Sequence, residues 1–281
     1  MITKIIACAD IHVPSLKGIE QLKSVLQRFI GQCKEIVDDE DSPDNVRIAV
    51  LGDIFDQKIA ITNESVLCVD WFFSELDKIC KTIVIAGNHD FLMNNMDRVD
   101  SLTPLFEIGK YKNVVYLDKV LEYKSGILDD DDVAWCLYSS FDGFTTPDIK
   151  VHKVANEGKD MVYVGLIHAD VNGAITNTNF VAENGVDPGV FEDCDFVMAG
   201  HIHKRQEIKK NGVRVVYSSS IKQKDFGESI SAHGFVLWDL EDHDEITYKY
   251  VNVTNPDGGY FRFDIKDIED LANDNEELIN Y

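Results

Sequence analysis

With 281 residues, 44% of them hydrophobic, the chain can build a real core in one α/β domain with a small appendage. No apolar run approaches the roughly 18 residues of a membrane span, and the run at 5–9 is too short for a signal-peptide core, so a soluble cytoplasmic protein with no membrane partner is expected. A net charge of −23 argues against an extended non-specific DNA surface, since phosphate binding leaves a basic footprint, but bound cations would offset the acid locally and a phosphodiester substrate is not excluded.

In chain order, residues 5–9 read as a buried strand, and residues 15–37 carry Leu16, Ile19, Leu22, Leu26, Phe29, Ile30, Cys33 and Val37 at helical spacing, with Ser15 as N-cap. An acidic loop leads to a second strand ending at Leu51, a second helix over about 62–81, and a third strand ending at Ala86. This βαβαβ alternation favours parallel pairing, and a helical piece near 99–108 packs behind it. From 114 onward the pattern changes. Short β-rich runs at 114–117, 120–123 and 133–138 open a second sheet, followed by strands ending at His168 and Gly200, a hairpin turned by Asn211-Gly212, and strands at 234–240 and 246–253. Domain boundaries of 1–245 and 246–281 follow, the second being a short acidic C-terminal segment.

Five strand ends carry the chemistry: Asp10-x-His12, Gly52-Asp53-x-x-Asp56, Gly87-Asn88-His89-Asp90, His168, and Gly200-His201-x-His203. Apolar runs that stop at Asp, Asn or His deliver those groups to the C-terminal edge of a sheet, where α/β proteins place ligands. Any one of them alone reads as a loop or cap residue, and His201 and His203 could merely bracket a buried Ile202. Together, the mix of carboxylate, amide and imidazole suits a pair of first-row divalent cations, with Asp53 bridging. The six cysteines fall singly in apolar segments without C-x-x-C spacing and read as reduced, buried thiols.

In this order the motifs resemble the calcineurin-like metallophosphoesterase superfamily. Within it, the Gly52-Asp-Ile-Phe-Asp56 motif, the block from Val216-Tyr-Ser-Ser-Ser220 through Asp225-Phe-Gly-Glu228 to His233-Gly-Phe-Val236, Lys58-Ile-Ala-Ile-Thr62 and Val171-Asn-Gly173 resemble the SbcD-type and T-even phage recombination nuclease branch. The resemblance implies a four-layer α/β/β/α sandwich with mixed sheets. It places one metal on Asp10, His12, Asp53 and His203 and the other on Asp53, Asn88, His168 and His201, with His89 as the catalytic imidazole and Asp90 fixing His89 or its loop. It also implies two divalent ions, most simply Mn2+ given four imidazole ligands, a DNA substrate, an SMC-like ABC ATPase partner, and leaves a homodimer open. The chain departs from protein phosphatases at Gln57-Lys58 and Asp90, from purple acid phosphatases at Asp56, and from archaeal and eukaryotic repair nucleases at Asp56 and Ser219. Residues 246–281 can supply only a remnant of those relatives' capping domain.

Lys204, Arg205, Lys209 and Lys210 form the densest basic group near the motifs and are the candidate phosphate-backbone contacts, although a hairpin tip with Asn-Gly is also an ordinary soluble turn. His152, His233 and His243 read as surface or core, Asp129–Asp132 as a solvated loop, and Trp71, Phe72 and Phe73 as cover for the sheet. A phosphodiesterase acting on DNA is the leading expectation. A stand-alone phosphodiesterase or phosphatase for a small nucleotide is the alternative, and a non-catalytic scaffold is disfavoured by the intact motifs.

Overall fold

The computed structural model describes residues 1–95, 97–210, 212–256 and 258–260. The first apolar runs form β1 (Lys4–Cys8), β2 (Val46–Leu51) and β3 (Lys81–Ile85), joined by α1 (Ile19–Asp38) and α2 (Asn63–Leu76). Their pairing is parallel, as the alternation predicts. Both faces of these strands are covered, which is why they read as continuous apolar runs. Along β1, Ile6 and Cys8 face the two helices while Ile5 and Ala7 face the other way, into a core shared with a second sheet.

The remaining elements are α3 (Thr103–Glu107), β4 (Val114–Tyr116), α4 (Leu117–Val120), β5 (Gly126–Asp130), β6 (Val133–Tyr138), α5 (Ile149–Ala155), β7 (Val162–His168), β8 (Phe196–Gly200), β9 (Gln206–Lys210), β10 (Val213–Tyr217), β11 (Gly234–Asp239) and β12 (Thr247–Asn252). Two six-stranded mixed sheets result, ordered β12-β11-β1-β2-β3-β4 and β5-β6-β7-β8-β10-β9. One apolar core lies between them, a second under α1 and α2, and a third on the outer face of the second sheet under Ile149 and Phe191. This is the expected α/β sandwich. Among the described residues no helix is long and apolar enough to cross a membrane.

Several local expectations are corrected. The first helix starts after Gly18, not at Ser15. Residues 15–18 form a bend in which the Ser15 hydroxyl donates to Ala60 O and its carbonyl accepts from Thr62 Oγ1, so Leu16 is exposed. Thr62 and Ser65 make the capping box of α2, which ends at Leu76 so that Lys81 can open β3. The run at 120–123 is not a strand. Asp118, buried and accepting from Ala86 N at 2.8 Å and Ser139 Oγ at 2.5 Å, anchors the short α4, after which Glu122 and Tyr123 turn the chain with positive φ. The second sheet therefore begins at β5, because β4 pairs with β3 in the first.

The Asp129–Asp132 run is solvated only in part, with Asp129 and Asp131 exposed and Asp130 not. Asp130 ends β5 fully buried, receiving Arg47 Nε at 2.7 Å and Nη2 at 3.0 Å, Lys81 Nζ at 2.8 Å and Trp135 Nε1 at 3.1 Å. β12, which begins just past the boundary expected at 245, pairs along its length with β11 at the edge of the first sheet. Residues 261–281, most of the expected acidic C-terminal segment, lie outside the described residues, as does Asn211 of the hairpin turn.

Candidate metal centre

The C-terminal ends of β1, β2, β3, β7 and β8 meet where the two sheets approach, and three glycines permit the approach. A Cβ on Gly87 would lie 2.2 Å from Asp53 N, one on Gly200 2.3 Å from Leu51 O, and one on Gly52, at φ 83°, 2.6 Å from Gly87 N and from His168 Nδ1. No side chain larger than hydrogen fits there. Just beyond these strand ends Asp10, His12, Asp53 and His201 take φ of 54°, 49°, 51° and 94°, an uncommon backbone that Asp and His tolerate better than most residues. The turns re-aim each side chain into one small volume.

Three donor clusters result among the described residues, each with its ligand atoms within 4.8 Å of one another: Asp10, His12 and His203 form one, Asp53, His168 and His201 another, and His12 with Asp56 and His89 a third beside them. His12 Nε2 faces His203 Nε2 at 3.0 Å and Asp53 Oδ2 at 3.7 Å, while His203 Nε2 is 3.4 Å from Asp10 Oδ1. His168 Nε2 is 3.2 Å from Asp53 Oδ1 and 4.0 Å from Asp10 Oδ1, and Asn88 Oδ1 sits 2.8 Å from His201 Nδ1. All seven expected ligands are therefore together, with Asp53 between the clusters.

The donor set fits divalent cations on structural grounds. His168 Nε2 is buried without a hydrogen-bond partner, a costly arrangement that a bound cation would offset. Its other nitrogen is fixed by Leu51 O at 2.7 Å, and His203 Nδ1 by Glu228 Oε1 at 2.5 Å, the outer bonds that aim a ligating imidazole. The electrostatics agree. Burial alone would raise Asp53, yet the neighbouring His168 holds its carboxyl far below the usual range, and Asp10 is likewise lowered, chiefly by His203, against its burial. Against the same burial, Asp53 lifts His168 to about 9, and Asp10 with Glu228 lifts His203 to about 10, whereas burial pushes His12 down to about 3.

His89 stands outside the two clusters that gather the expected ligands and meets His12 and Asp56 in the third. Its N–H donates to Asp53 Oδ1 at 2.7 Å, its Nδ1 meets Asp56 O at 2.7 Å, and its Nε2, 4.0 Å from Asp53 Oδ2, belongs to a side chain 28% exposed. That nitrogen can reach a substrate. Asp90, grouped with His89 as the residue that fixes it or its loop, lies against the loop backbone. It is buried, and its carboxylate accepts from Ile54 N, Phe55 N and Gly87 N at 2.8–3.0 Å, holding the Asp53 and Asn88 loops together. Burial and the charge of Asp53 push Asp90 up to about 7, against those three N–H groups.

Of the four basic residues of the 204–210 region, Lys204 and Arg205 line a cavity beside His203, and all four have partners. Lys204 Nζ donates to Asn179 Oδ1, Arg205 bonds Asn252 Oδ1 and Val251 O beside the Tyr250 ring, Lys209 pairs with Glu207, and Lys210 with Asp187. Three residues with roles here are not evident from sequence. Glu228 stands within a motif block, but nothing in its spacing ties it to His203. Lys224 lies 2.9 Å from Asp56 Oδ1 and 3.3 Å from His12 Nδ1. Asp170, with Oδ2 3.6 Å from His201 Nε2, does carry a signal, since it stands two residues past a strand-end ligand.

Three cavities flank the centre, one of about 210 Å³ beside Asp10 and His12, one of about 610 Å³ beside Asn88, His168 and His201, and one of about 390 Å³ beside His203 and Glu228. A profile described as calcineurin-like phosphoesterase matches residues 3–205. An uncharacterized protein of Acanthamoeba polyphaga mimivirus is 31% identical over 243 residues, covering 83% of this chain but only 17% of that protein. The D component of the nuclease SbcCD from Staphylococcus epidermidis is 24% identical over 311 residues, covering 98% of this chain and 74% of that one. A putative 5'-nucleotidase from Staphylococcus aureus shares the fold, with a TM-score of 0.50 at 11% identity over 95% of this chain and 56% of that one. The chain belongs to the calcineurin-like phosphoesterase family of metal-dependent phosphoester hydrolases.

Proposed function

We propose that the protein is a two-metal phosphodiesterase that cleaves DNA, acting as the nuclease subunit of a recombination or repair complex with an SMC-like ATPase, with manganese as the favoured ion. The observation that carries the phosphodiester chemistry is the pair of donor clusters with Asp53 between them, one oxygen 3.2 Å from His168 Nε2 and the other 3.7 Å from His12 Nε2, and with His89 Nε2 open beside them. Asp10, His12, Asp53 and His203 would hold one cation and Asp53, Asn88, His168 and His201 the other. Bound there, two cations supply Lewis acidity toward a phosphate oxygen and toward the attacking water. His89, its ring oriented by Asp56 O, holds or releases a proton at Nε2 toward the departing oxygen, and Asp90 keeps the two ligand loops in register for that step. Support for DNA and for an ATPase partner is the likeness to one component of SbcCD along nearly the whole chain. The acidic balance favours the second reading, a small-nucleotide phosphodiesterase or phosphatase.

The test follows end-labelled single- and double-stranded DNA and a chromogenic diester, with manganese and with excess chelator. Cleavage of DNA and diester with manganese alone is expected, and His89→Ala should slow both about 100-fold while metal uptake persists. Activity in excess chelator would sink the metal reading. Diester hydrolysis that leaves both DNAs whole, even with a candidate ATPase added, would transfer the assignment to the small-nucleotide reading.

A further inference from the structure

If phosphodiester cleavage is right, something must grip the substrate away from the bond that breaks. The cavity on whose wall three lysines stand beside two expected ligands is the smallest of those at the centre. It opens directly on Asp10 and His12 and is lined by Lys17, Lys222 and Lys224, together with Asp56 and Gln223. His12 ties that cavity to the centre. Its Nε2 faces His203 Nε2 at 3.0 Å, and the opposite nitrogen, Nδ1, lies 3.3 Å from Lys224 Nζ. One imidazole ring thus spans from the metal-binding donors to a cation at the cavity wall. Lys224 is held there from behind, because its backbone N–H donates at 2.9 Å to Glu228, the carboxylate that also fixes His203. Its side chain remains 33% exposed, with Asp56 as its counter-ion at 2.9 Å.

We infer that this cavity is a second phosphate subsite, in which Lys17, Lys222 and Lys224 bind a phosphate next to the one being cleaved. The inference rests on the phosphodiesterase reading and sharpens it. The preferred substrate carries at least two phosphates, as a strand or as an end-phosphorylated dinucleotide, rather than one isolated diester. Asp56 serves as the counter-ion that the incoming phosphate displaces from Lys224.

Dinucleotides bearing no terminal phosphate, a 5' phosphate or a 3' phosphate test this directly with the manganese-loaded protein. The wild type should show higher kcat/KM for one of the two phosphorylated forms, which identifies the side of the scissile bond that the cavity serves. Lys222→Ala and Lys224→Ala should each lower that preference about tenfold, chiefly through KM, and Lys224→Arg should retain it. A preference unchanged in the alanine variants, or an equal loss on all three substrates, overturns the subsite. Anisotropy of a labelled single-stranded oligonucleotide on the same proteins separates this from failure of the catalytic reading. If no diester is cleaved but binding weakens in the lysine variants, with a salt slope lower by about one unit per lost contact, the subsite stands while the phosphodiesterase assignment falls.

Discussion

The two ends of the sandwich solve the same electrostatic problem in opposite ways. At the end where the parallel strands start, Asp130 is buried between the sheets, and the protein itself supplies the cations, Arg47 and Lys81, with Trp135 satisfying the remaining lone pair. Where the strands finish, Asp10 and Asp53 are just as deeply buried, yet their neighbours are imidazoles and an amide, with no Lys or Arg against either carboxylate among the described residues. Backbone differs as well. Asp130 itself ends an ordinary extended strand, with positive φ only at the neighbouring Asp131, whereas four ligand-bearing residues at the other end have positive φ. One buried carboxylate is neutralised within the sequence. The other pair is arranged for positive charge that comes from outside.

The sharpest way to break that contrast is Asp53→Asn. Removing the carboxylate that lies between the two clusters should cut phosphodiester hydrolysis at least about 1000-fold, well beyond the loss expected for a single proton-transfer group. It should also remove most of the rise in melting temperature produced by manganese. For the wild type, ion at about 100 times its Kd should add roughly 2.7 kcal/mol of stability. A variant with the full manganese shift would mean that Asp53 is not the shared ligand.

At the other end the expected loss is in folding, not activity. Arg47→Met leaves Asp130 buried with Lys81 as its only cation and should cost about 3–5 kcal/mol in urea unfolding, while Arg47→Met combined with Asp130→Leu should recover most of it. The pH dependence has a definite sign. Burial would raise Asp130, but Arg47, Lys81 and Trp135 hold its pKa down at about 2. A lowered carboxyl contributes stability that is present above about pH 4 and lost as pH falls toward 2. In Arg47→Met the stability curve should therefore be flatter through that window. Equal acid slopes in the two proteins would show that Arg47 is not what depresses Asp130.

This contrast also explains which parts of the structure are legible in the sequence. Asp10, His12, Asp53, Asn88, His168, His201 and His203 are readable because each follows a buried apolar strand that has no reason to stop at a polar residue, and the order of five such stops is distinctive. Asp130 is not readable. It stands in a run of four aspartates that looks solvated, and its partner Arg47 is 83 residues away, so only the sheet pairing reveals the buried ion pair. The start of the second sheet is misplaced from sequence for a related reason. Residues 114–123 are β-branched and aromatic, but the anchoring of Asp118 by Ala86 N and Ser139 turns the second half of that run into a helical turn. Loop carboxylates such as Glu228 carry no periodic signal at all, and their roles follow from distance alone.

Those loop carboxylates provide the smallest and most discriminating comparison, this time within the metal-binding end. Glu228 and Asp170 both approach a nitrogen of a ligand imidazole, but at different range. Glu228 Oε1 is 2.5 Å from His203 Nδ1 in a side chain only 2% exposed, and its other oxygen accepts from Lys224 N at 2.9 Å and Ser220 Oγ at 3.3 Å. Asp170 Oδ2 is 3.6 Å from His201 Nε2, too long for a hydrogen bond, in a side chain 45% exposed. In Glu228→Gln the amide can still present its oxygen to His203, but its NH2 group must then face the Lys224 N–H, setting donor against donor in a dry site. Metal affinity should fall about 10- to 100-fold, the usual cost of losing an outer bond to a ligating histidine. Asp170→Asn, already solvated and unbonded, should cost no more than about threefold, since little beyond a screened charge is removed. Competition against a fluorescent chelator measures both. If Asp170→Asn weakened manganese binding more than Glu228→Gln, then distance and burial would not rank these contacts, and His201 would have to rely on Asp170 in the loaded protein.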